Sequence, residues 1–331
     1  MSKAEPTPSI AIVMRSSKTG GHSIEQVFAN HAAHVDDVSL EFVELVEGES
    51  KWSQLKKLVP YPLIHVTGHV NWVITCLFWK RSILTVHDIG RFRELSGIQK
   101  WVYYLWWMGL PCFFANRITV VSQYTADQLG RICPFATKRI EVVYNSVPEG
   151  FESEPRQSNA VPRVLQVGTA IHKNAEGTVS ALEGMDVELV LVGKPREALE
   201  HLLEEKQVSH RWLTNVPYAD ILDQYRQCDI VVFPSFHEGF GLPVMEAQAV
   251  GRPVITSNVC SLPEVGGEGA LYVDPKSTSQ IREAIRSLLE DSELWERMAK
   301  RGSENLVRFE PGKIAGQLAE IYRKLLGLHS P

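Results

Sequence analysis

The chain has 331 residues, of which 44% are hydrophobic, and this is enough for two ordinary domains with packed cores. Its formal net charge of −5 and the lack of a long basic run exclude the electrostatic footprint of a nucleic-acid-binding protein. The 5 cysteines are scattered, and no two of them form a C-x-x-C pair. This spacing argues against a zinc site or a disulfide framework, and it predicts a protein of a reducing compartment such as the cytoplasm.

The sequence predicts neither a signal peptide nor a membrane-spanning helix. Its first residues are polar and interrupted by proline, and no apolar run reaches the roughly 20 residues that a bilayer requires. Residues 70–79 and 101–118 come closest, and the second stretch is rich in Trp, Tyr and Phe. Aromatic rings collect at membrane interfaces, but they also fill buried helices. The lack of a Lys/Arg-rich face favours a buried helix and leaves peripheral contact with the inner face of the membrane as the alternative.

Short apolar runs alternate with amphipathic stretches along the first half of the chain. Strands are predicted at residues 10–14, 40–45, 63–66, 83–86, 118–121 and 140–143, with helices between them, for example at 23–33 and 126–131. Such alternation is typical of a parallel sheet with helices on both faces. Residues 152–162 show no periodicity and predict a linker.

The second half repeats this organisation. Strands are predicted at residues 163–167, 187–192, 211–214, 229–233, 254–256 and 271–273, and residues 277–326 are predicted to be helical. The predicted fold class is therefore α/β, with two Rossmann-like domains facing across a cleft. Residues 1–152 form the N-terminal domain, 153–310 form the C-terminal domain, and the helix in 311–331 packs back on the N-terminal domain. Ligands of such sheets bind at the carboxyl ends of the strands.

The most informative motif is F-P-S-F-H-E-G-F-G-L-P-V-M-E, which starts at the end of a predicted buried strand. Gly239 and Gly241 allow the backbone to approach a ligand closely, and Pro243 suits the first turn of a helix. The N–H groups and the dipole at that helix start favour an anion such as phosphate. Glu238 and Glu246 bracket this loop and are available for ligand hydroxyls.

This motif resembles the Glu-x7-Glu signature of the family 4 (group 1) retaining glycosyltransferases, which have the GT-B fold. The resemblance continues through Ala247, Gly251, Pro253, Val254, Pro263 and Glu264. It implies transfer of a hexose from a nucleotide diphosphate sugar to a hydroxyl of a glycan, lipid-linked or small-molecule acceptor, with retention and without a metal. In this interpretation Glu246 binds the ribose, Glu238 holds the donor sugar, and the diphosphate contacts Gly239, Phe240, Gly241 and Leu242.

A second loop, G-T-A-I-H-K-N, follows the predicted strand at 163–167. In the resembled family a basic pair in this loop neutralises the donor diphosphate, and Lys173 matches the lysine of that pair. Thr169 stands where many members have arginine, so either His172 substitutes in part or binding depends more on Lys173 and the helix N-terminus. Lys194 and Val216 lie where the family binds the nucleotide base, which it reads through backbone groups.

Two glycines and a His-Asp pair follow predicted strands of the first half. Gly20 and Gly21 resemble the family's first glycine-rich loop, which reaches the donor phosphate or sugar, although any tight turn uses such a pair. His87 and Asp88 resemble the acceptor-domain motif, in which the histidine lies beside the donor sugar. The resemblance implies a catalytic role for both, with Asp88 orienting His87 or lying near the acceptor hydroxyl. The alternative is a cap at the end of the strand.

Three rival functions remain open at this point. A glycoside hydrolase would use Glu238 and Glu246 as its acid and base, and it would need no nucleotide. A nucleotide-sugar epimerase shares the architecture, and a non-catalytic subunit would only bind the nucleotide sugar. The anion-binding loop argues against the hydrolase, and the joint presence of Lys173, Glu238 and Glu246 argues against an inactive subunit. The preferred interpretation is a hexosyltransferase of polysaccharide biosynthesis that needs no cofactor, because the nucleotide sugar is a co-substrate.

Overall fold

A computed structural model describes residues 8–15, 28, 38–67, 70–156 and 159–328. Gly20, Gly21 and the predicted helix at 23–33 lie outside these residues, apart from the single position 28. The chain forms two compact units. The first comprises Met1–Ser146 with Glu310–Pro331, and the second comprises Val147–Phe309. The sequence-based division places its boundaries after residues 152 and 310 instead.

The first unit is built on a six-stranded parallel sheet with the strand order β2-β1-β3-β4-β5-β6. Its strands are β1 (Ser9–Arg15), β2 (Ser39–Leu45), β3 (Leu63–Val66), β4 (Arg81–Val86), β5 (Arg117–Val120) and β6 (Ile140–Val142). Its α-helices in the described residues are Lys51–Leu58, Trp72–Cys76, Gly90–Glu94, Gly97–Tyr103, Leu110–Phe114, Gln123–Ile132 and Pro311–Leu326. All six strand predictions for this half are confirmed. Four of the strands are largely buried, whereas β2 and β6, at the two edges of the sheet, are partly or mostly exposed.

Both faces of this sheet are covered. On one face Ile64, Leu84 and Ile118 pack into a large apolar cluster. On the other face the C-terminal helix Pro311–Leu326 places Leu318 and other apolar side chains in one cluster with β1. Full burial of a Leu or Ile side chain contributes about 1.5–3 kcal/mol, so this helix stabilises the first unit although it is its most distant element in sequence.

The second unit is also a six-stranded parallel sheet, with the strand order β12-β11-β10-β7-β8-β9. Its strands are β7 (Arg163–Val167), β8 (Glu188–Val192), β9 (His210–Leu213), β10 (Ile230–Phe233), β11 (Val254–Ser257) and β12 (Ala270–Val273). Its α-helices are Ala175–Leu182, Glu197–Glu205, Tyr218–Gln227, Leu242–Ala249, Leu262–Gly266, Thr278–Glu290 and Ser292–Asn305. The strand order reverses between β7 and β10, which makes their carboxyl ends the topological switch point where ligands bind in such sheets.

The predicted linker at 152–162 packs within the second unit. Its described residues form no regular helix or strand. Arg252, which is 1% exposed, donates hydrogen bonds to the carbonyl oxygens of Glu154 at 2.8 Å and Pro155 at 3.1 Å. A buried guanidinium with carbonyl partners therefore fixes this segment, and motif reasoning gave no reason to expect it.

The aromatic segment is buried on one side only. Helix Gly97–Tyr103 continues through a π-helical stretch, Tyr104–Gly109, into helix Leu110–Phe114. Cys112 on this segment is fully buried, whereas Trp101 is 73% exposed. The buried-helix interpretation therefore holds for one side and is wrong for the other. Across the described residues, no helix is both long and apolar enough to cross a membrane.

Candidate functional site

The switch point of the second unit brings the two informative loops together. Strands β7 and β10 are paired neighbours, so the loops that follow them leave the same edge of the sheet. The backbone N–H of Phe236 donates to the carbonyl of His172 at 2.8 Å. Asn174, in a left-handed conformation with φ 58°, donates from Nδ2 to the carbonyl of Pro234 at 3.0 Å. These bonds fix one loop against the other.

The loop before helix Leu242–Ala249 adopts the conformation that its glycines predict. Gly241 has φ 106°, and a Cβ added there would lie 2.6 Å from Cδ2 of Leu262, so only glycine fits. The hydroxyl of Ser261, which is fully buried, lies 3.1 Å from the carbonyl oxygen of Glu238 and 2.8 Å from that of Phe240. Ser261 holds the loop backbone, and the sequence motif did not single it out.

Lys173 and Glu238 form an ion pair across the two loops. Nζ of Lys173 lies 2.6 Å from Oε1 of Glu238, with 21% and 11% of the two side chains exposed. The same ammonium lies 4.8 Å from the centroid of the Phe233 ring. Gly168 has φ 98°, and a Cβ there would approach the Lys173 stem to 3.1 Å. A glycine is therefore needed for the lysine to reach over its own loop. The structure brings Lys173 and Glu238, two of the predicted site residues, into contact.

Glu246 is a buried carboxylate held by two tyrosines. It is 5% exposed and accepts from the hydroxyl of Tyr218 at 2.9 Å and from that of Tyr225 at 2.6 Å. Burial raises the pKa of Glu246, while the two hydroxyls and the charge of Lys173 oppose this rise. Burial and the neighbouring carboxylate also raise the pKa of both tyrosines, so they remain hydrogen-bond donors.

Both tyrosines were missed at the level of sequence. They lie seven residues apart on helix Tyr218–Gln227, a spacing that places them on one side of a helix. That periodicity is a usable signal, but nothing local indicates that this side faces Glu246. Val216, a predicted donor-site residue, lies half-buried in the loop that leads into Tyr218.

Thr169 is a structural residue of the Lys173 loop. It is 3% exposed, and its hydroxyl donates to the carbonyl of Lys194 at 2.6 Å. Its own carbonyl accepts from Nη1 of Arg196 at 2.9 Å, and Arg196 also pairs with Glu176 at 2.6 Å. An arginine therefore does reach this loop, but it comes from the segment after β8. The side chains of His172 and Lys194 are exposed.

The predicted His-Asp pair lies at the carboxyl end of β4 in the first unit. Nε2 of His87 is 2.8 Å from the hydroxyl of Thr67. A carboxylate oxygen of Asp88 accepts from the backbone N–H of Gly90 at 2.8 Å, at the start of the short helix Gly90–Glu94. This bond, between residues two apart, fixes the turn that leads from the strand into the helix. His87 also lines a cavity of about 10 Å³ together with Asn145.

Lys173, Glu238 and Glu246 bring one ammonium group and two carboxylates to the start of helix Leu242–Ala249. Within the described residues, no three His, Cys, Asp or Glu side chains are grouped so that they could hold a metal ion. Two parallel α/β units with this constellation at a sheet edge define a glycosyltransferase of the GT-B class.

Comparisons with known proteins agree with this class. The family model for glycosyl transferases group 1 matches residues 151–305, and the model for glycosyltransferase family 4 matches residues 47–150. O-antigen chain mannosyltransferase B of Escherichia coli is 38% identical over 272 residues, which cover 74% of this chain and 71% of the relative. The O-antigen chain mannosyltransferase RfbU of Salmonella typhimurium is 26% identical, covering 72% and 69% of the two chains.

A solved structure supports the fold over nearly the whole length. The crystal structure of Anabaena HepE in complex with UDP and glucose superposes with a TM-score of 0.79 at 17% identity, covering 96% of this chain and all of that one. The chain belongs to the group 1, or family 4, glycosyltransferases, and it is an enzyme of the hexosyltransferase type.

Proposed function

We propose that the second unit binds a nucleotide diphosphate sugar and that the enzyme transfers its hexose to a hydroxyl with retention and without a metal. The observation that carries this proposal is the grouping of Lys173, Glu238 and Glu246 beside the N-terminus of helix Leu242–Ala249. One cation and a helix start suit the diphosphate, and two carboxylates suit sugar and ribose hydroxyls.

Stabilisation of the leaving group is the main chemical requirement. The diphosphate gains negative charge as the glycosidic bond breaks, and preorganised donors aimed at it lower the barrier. Lys173 lies on the loop after β7, and Asn174 fixes that loop by donating to the carbonyls of Pro234 and Pro275. The start of helix Leu242–Ala249 adds its positive dipole end. We assign no protein nucleophile, and an oxygen of the leaving diphosphate is proposed to accept the acceptor's proton.

The surroundings of Glu246 favour a hydroxyl-binding role over acid–base catalysis. Both of its oxygens already accept hydrogen bonds, from Tyr218 and Tyr225, and the group is almost fully buried. A glycosidase acid or base must reach the scissile bond or a water beside it. A fixed, buried acceptor is instead suited to ribose hydroxyls, so the hydrolase is the weaker candidate.

The named activities of relatives refine the substrates. Two relatives are named as O-antigen chain mannosyltransferases, which favours a mannosyl donor and a growing glycan as acceptor. A structural neighbour was solved with UDP and glucose, which favours a nucleoside diphosphate as the leaving group. We further propose that the enzyme acts in the cytoplasm. Its cysteines are free thiols, as a reducing compartment maintains them.

Thermal shift with UDP, GDP, ADP and dTDP, with and without their hexoses, tests the proposal. A ligand at 100 times its Kd stabilises the folded protein by about 2.7 kcal/mol. We expect one nucleotide to raise the Tm, and we expect Lys173→Ala and Glu246→Ala to diminish the rise. Lys206→Ala, which removes a lysine of the same unit paired with Glu183 at 3.3 Å, is the matched control.

Two results would overturn the proposal. Undiminished nucleotide binding by both site variants would show that the site lies elsewhere. For the metal-free mechanism, we expect full transfer activity in EDTA, and activity that EDTA removes and Mg²⁺ restores would contradict it. Retention is checked by the anomeric configuration of the product in proton NMR.

A further inference from the structure

The helical segment 97–114 of the first unit presents an apolar side to solvent. We define its aromatic face as the exposed side chains Ile98, Trp101, Val102, Leu105, Trp106 and Phe113. The first five recur at intervals of three and four residues, as one side of a helix does. The opposite side packs into the core through Met108 and Cys112. Helices that are apolar all round are ordinarily covered by protein or by lipid.

Neighbouring elements extend the aromatic face into a continuous surface. Phe78 and Trp79, which follow helix Trp72–Cys76, are 57% and 62% exposed. The ring of Phe78 lies 5.5 Å from that of Phe114, which in turn lies 5.2 Å from Phe113. The ring of Phe113 also lies 6.1 Å from that of Phe135. Exposed apolar patches of this continuity mark sites of interaction with a protein or a membrane.

The same part of the chain is strongly basic. Residues 77–139 contain nine Lys or Arg and three Asp or Glu, which gives this stretch a net charge of +6. The whole chain has a net charge of −5, so the remaining residues carry −11. Arg91, Arg93, Arg131 and Lys138 are exposed members of this set. Arg91 also borders a groove of about 500 Å³, which is lined by Ile98 and other apolar side chains of the segment. Arg139 donates to the carbonyl of Phe113 at 3.0 Å, so this cation and Arg91 lie directly beside the aromatic face.

We propose that the aromatic face docks the enzyme onto an anionic lipid bilayer. Trp and Phe side chains would enter the headgroup region, and the surrounding Lys and Arg side chains would contact lipid phosphates. A second copy of the chain is a poorer partner, because a two-fold contact would oppose two basic surfaces. All of these residues belong to the first unit, so the proposal does not depend on the nucleotide site of the second.

Co-sedimentation of the full chain with vesicles tests this proposal. We compare phosphatidylcholine vesicles with vesicles that contain about 30% phosphatidylglycerol, since anionic headgroups attract basic segments. Binding is expected to the anionic vesicles only, and to weaken between roughly 50 and roughly 500 mM NaCl because salt screens exposed charge. The double variant Trp101→Ser/Trp106→Ser is expected to lose about tenfold in vesicle affinity.

Trp52→Ser is the matched control, because Trp52 is 68% exposed in the same unit but lies on helix Lys51–Leu58, outside the aromatic face. It should bind vesicles as the unaltered chain does, and all three proteins should keep the same thermal shift with nucleotide. Equal sedimentation of the double variant and the unaltered chain would overturn the proposal, as would no binding to either vesicle. A dimer in analytical ultracentrifugation that only the double variant loses would assign the aromatic face to a second copy.

Discussion

The ion pair of Lys173 and Glu238 predicts opposite effects on nucleotide binding for its two partners. In the structure, a carboxylate oxygen of Glu238 lies 2.6 Å from the ammonium nitrogen of Lys173. A diphosphate that binds Lys173 must compete with Glu238. Glu238→Gln keeps the shape of the side chain but replaces the ion pair with a hydrogen bond from the same ammonium to a neutral amide oxygen, so it should make the lysine more available to the phosphate.

The magnitude follows from the geometry of the pair. Gln keeps a hydrogen bond from the ammonium but loses the Coulomb attraction between the two charges. That attraction contributes about 0.2–1 kcal/mol in exposed pairs and somewhat more here, where only 21% and 11% of the side chains are exposed and solvent screens the charges less. A loss of roughly 1 to 1.5 kcal/mol corresponds to about tenfold tighter binding of the nucleoside diphosphate to Glu238→Gln. Lys173→Ala should bind it about 10–100-fold more weakly, because a charge-assisted contact to phosphate is lost.

Isothermal titration calorimetry with the nucleotide chosen by thermal shift measures both effects. The double variant Lys173→Ala/Glu238→Gln is the decisive control, because without the lysine there is nothing for Gln to release. Its affinity should equal that of Lys173→Ala. The reasoning is refuted if Glu238→Gln weakens nucleotide binding, or if its gain persists in the double variant. Sugar transfer should fall in Glu238→Gln despite the tighter binding, because the proposed contact to the donor sugar is impaired.

Two further substitutions test the supporting residues. Tyr225→Phe removes a hydrogen bond that lowers the pKa of Glu246, so the pKa should rise and the loss of nucleotide affinity on acidification should begin at a higher pH. Calorimetric titrations across pH check this, and an unchanged or lower midpoint contradicts it. Arg252→Lys replaces a guanidinium that donates to five backbone carbonyls, those of Glu154, Pro155, Arg226, Cys228 and Val250. Since a lysine has three donors, at least two carbonyls lose a partner, which costs about 2–6 kcal/mol of unfolding free energy. Urea denaturation measures this cost, exposed Arg297→Lys serves as the control, and a loss below about 1 kcal/mol would contradict the assigned role.

The strands could be predicted because their signal is local. The run of β10 is a continuous apolar segment, and buried parallel strands have that pattern whatever their neighbours are. The position of the domain boundary near residue 152 was harder to predict from local sequence. Polar, aperiodic composition predicts a linker, but the hydrogen bonds from Arg252 that hold residues 154 and 155 come from about 100 positions further along the chain.

For the candidate site, too, local sequence identified some residues and not others. Glu238 and Glu246 were identified because they bracket a glycine loop between a strand and a helix start, a pattern that indicates an anion site. Lys173 was identified by its resemblance to the family's lysine, at the end of a neighbouring strand. Their partners were not identified. Tyr218 reaches Glu246 across 28 positions, and Lys173 reaches Glu238 across 65. The hydrogen bond that Asp88 accepts from the backbone N–H of Gly90 was not predicted either, and the catalytic role of Asp88 remains a prediction.

By itself the sequence determined the α/β class, the twelve strands, the family and the charged residues of the proposed donor site, since each has a signature within a few neighbouring residues. The tertiary structure alone decided which of these groups meet. It set the strand order that places β7 beside β10, the tyrosines that hold a buried carboxylate, and the exposure of the aromatic face. These properties depend on packing between distant segments, and no local pattern encodes which surfaces remain in contact with water.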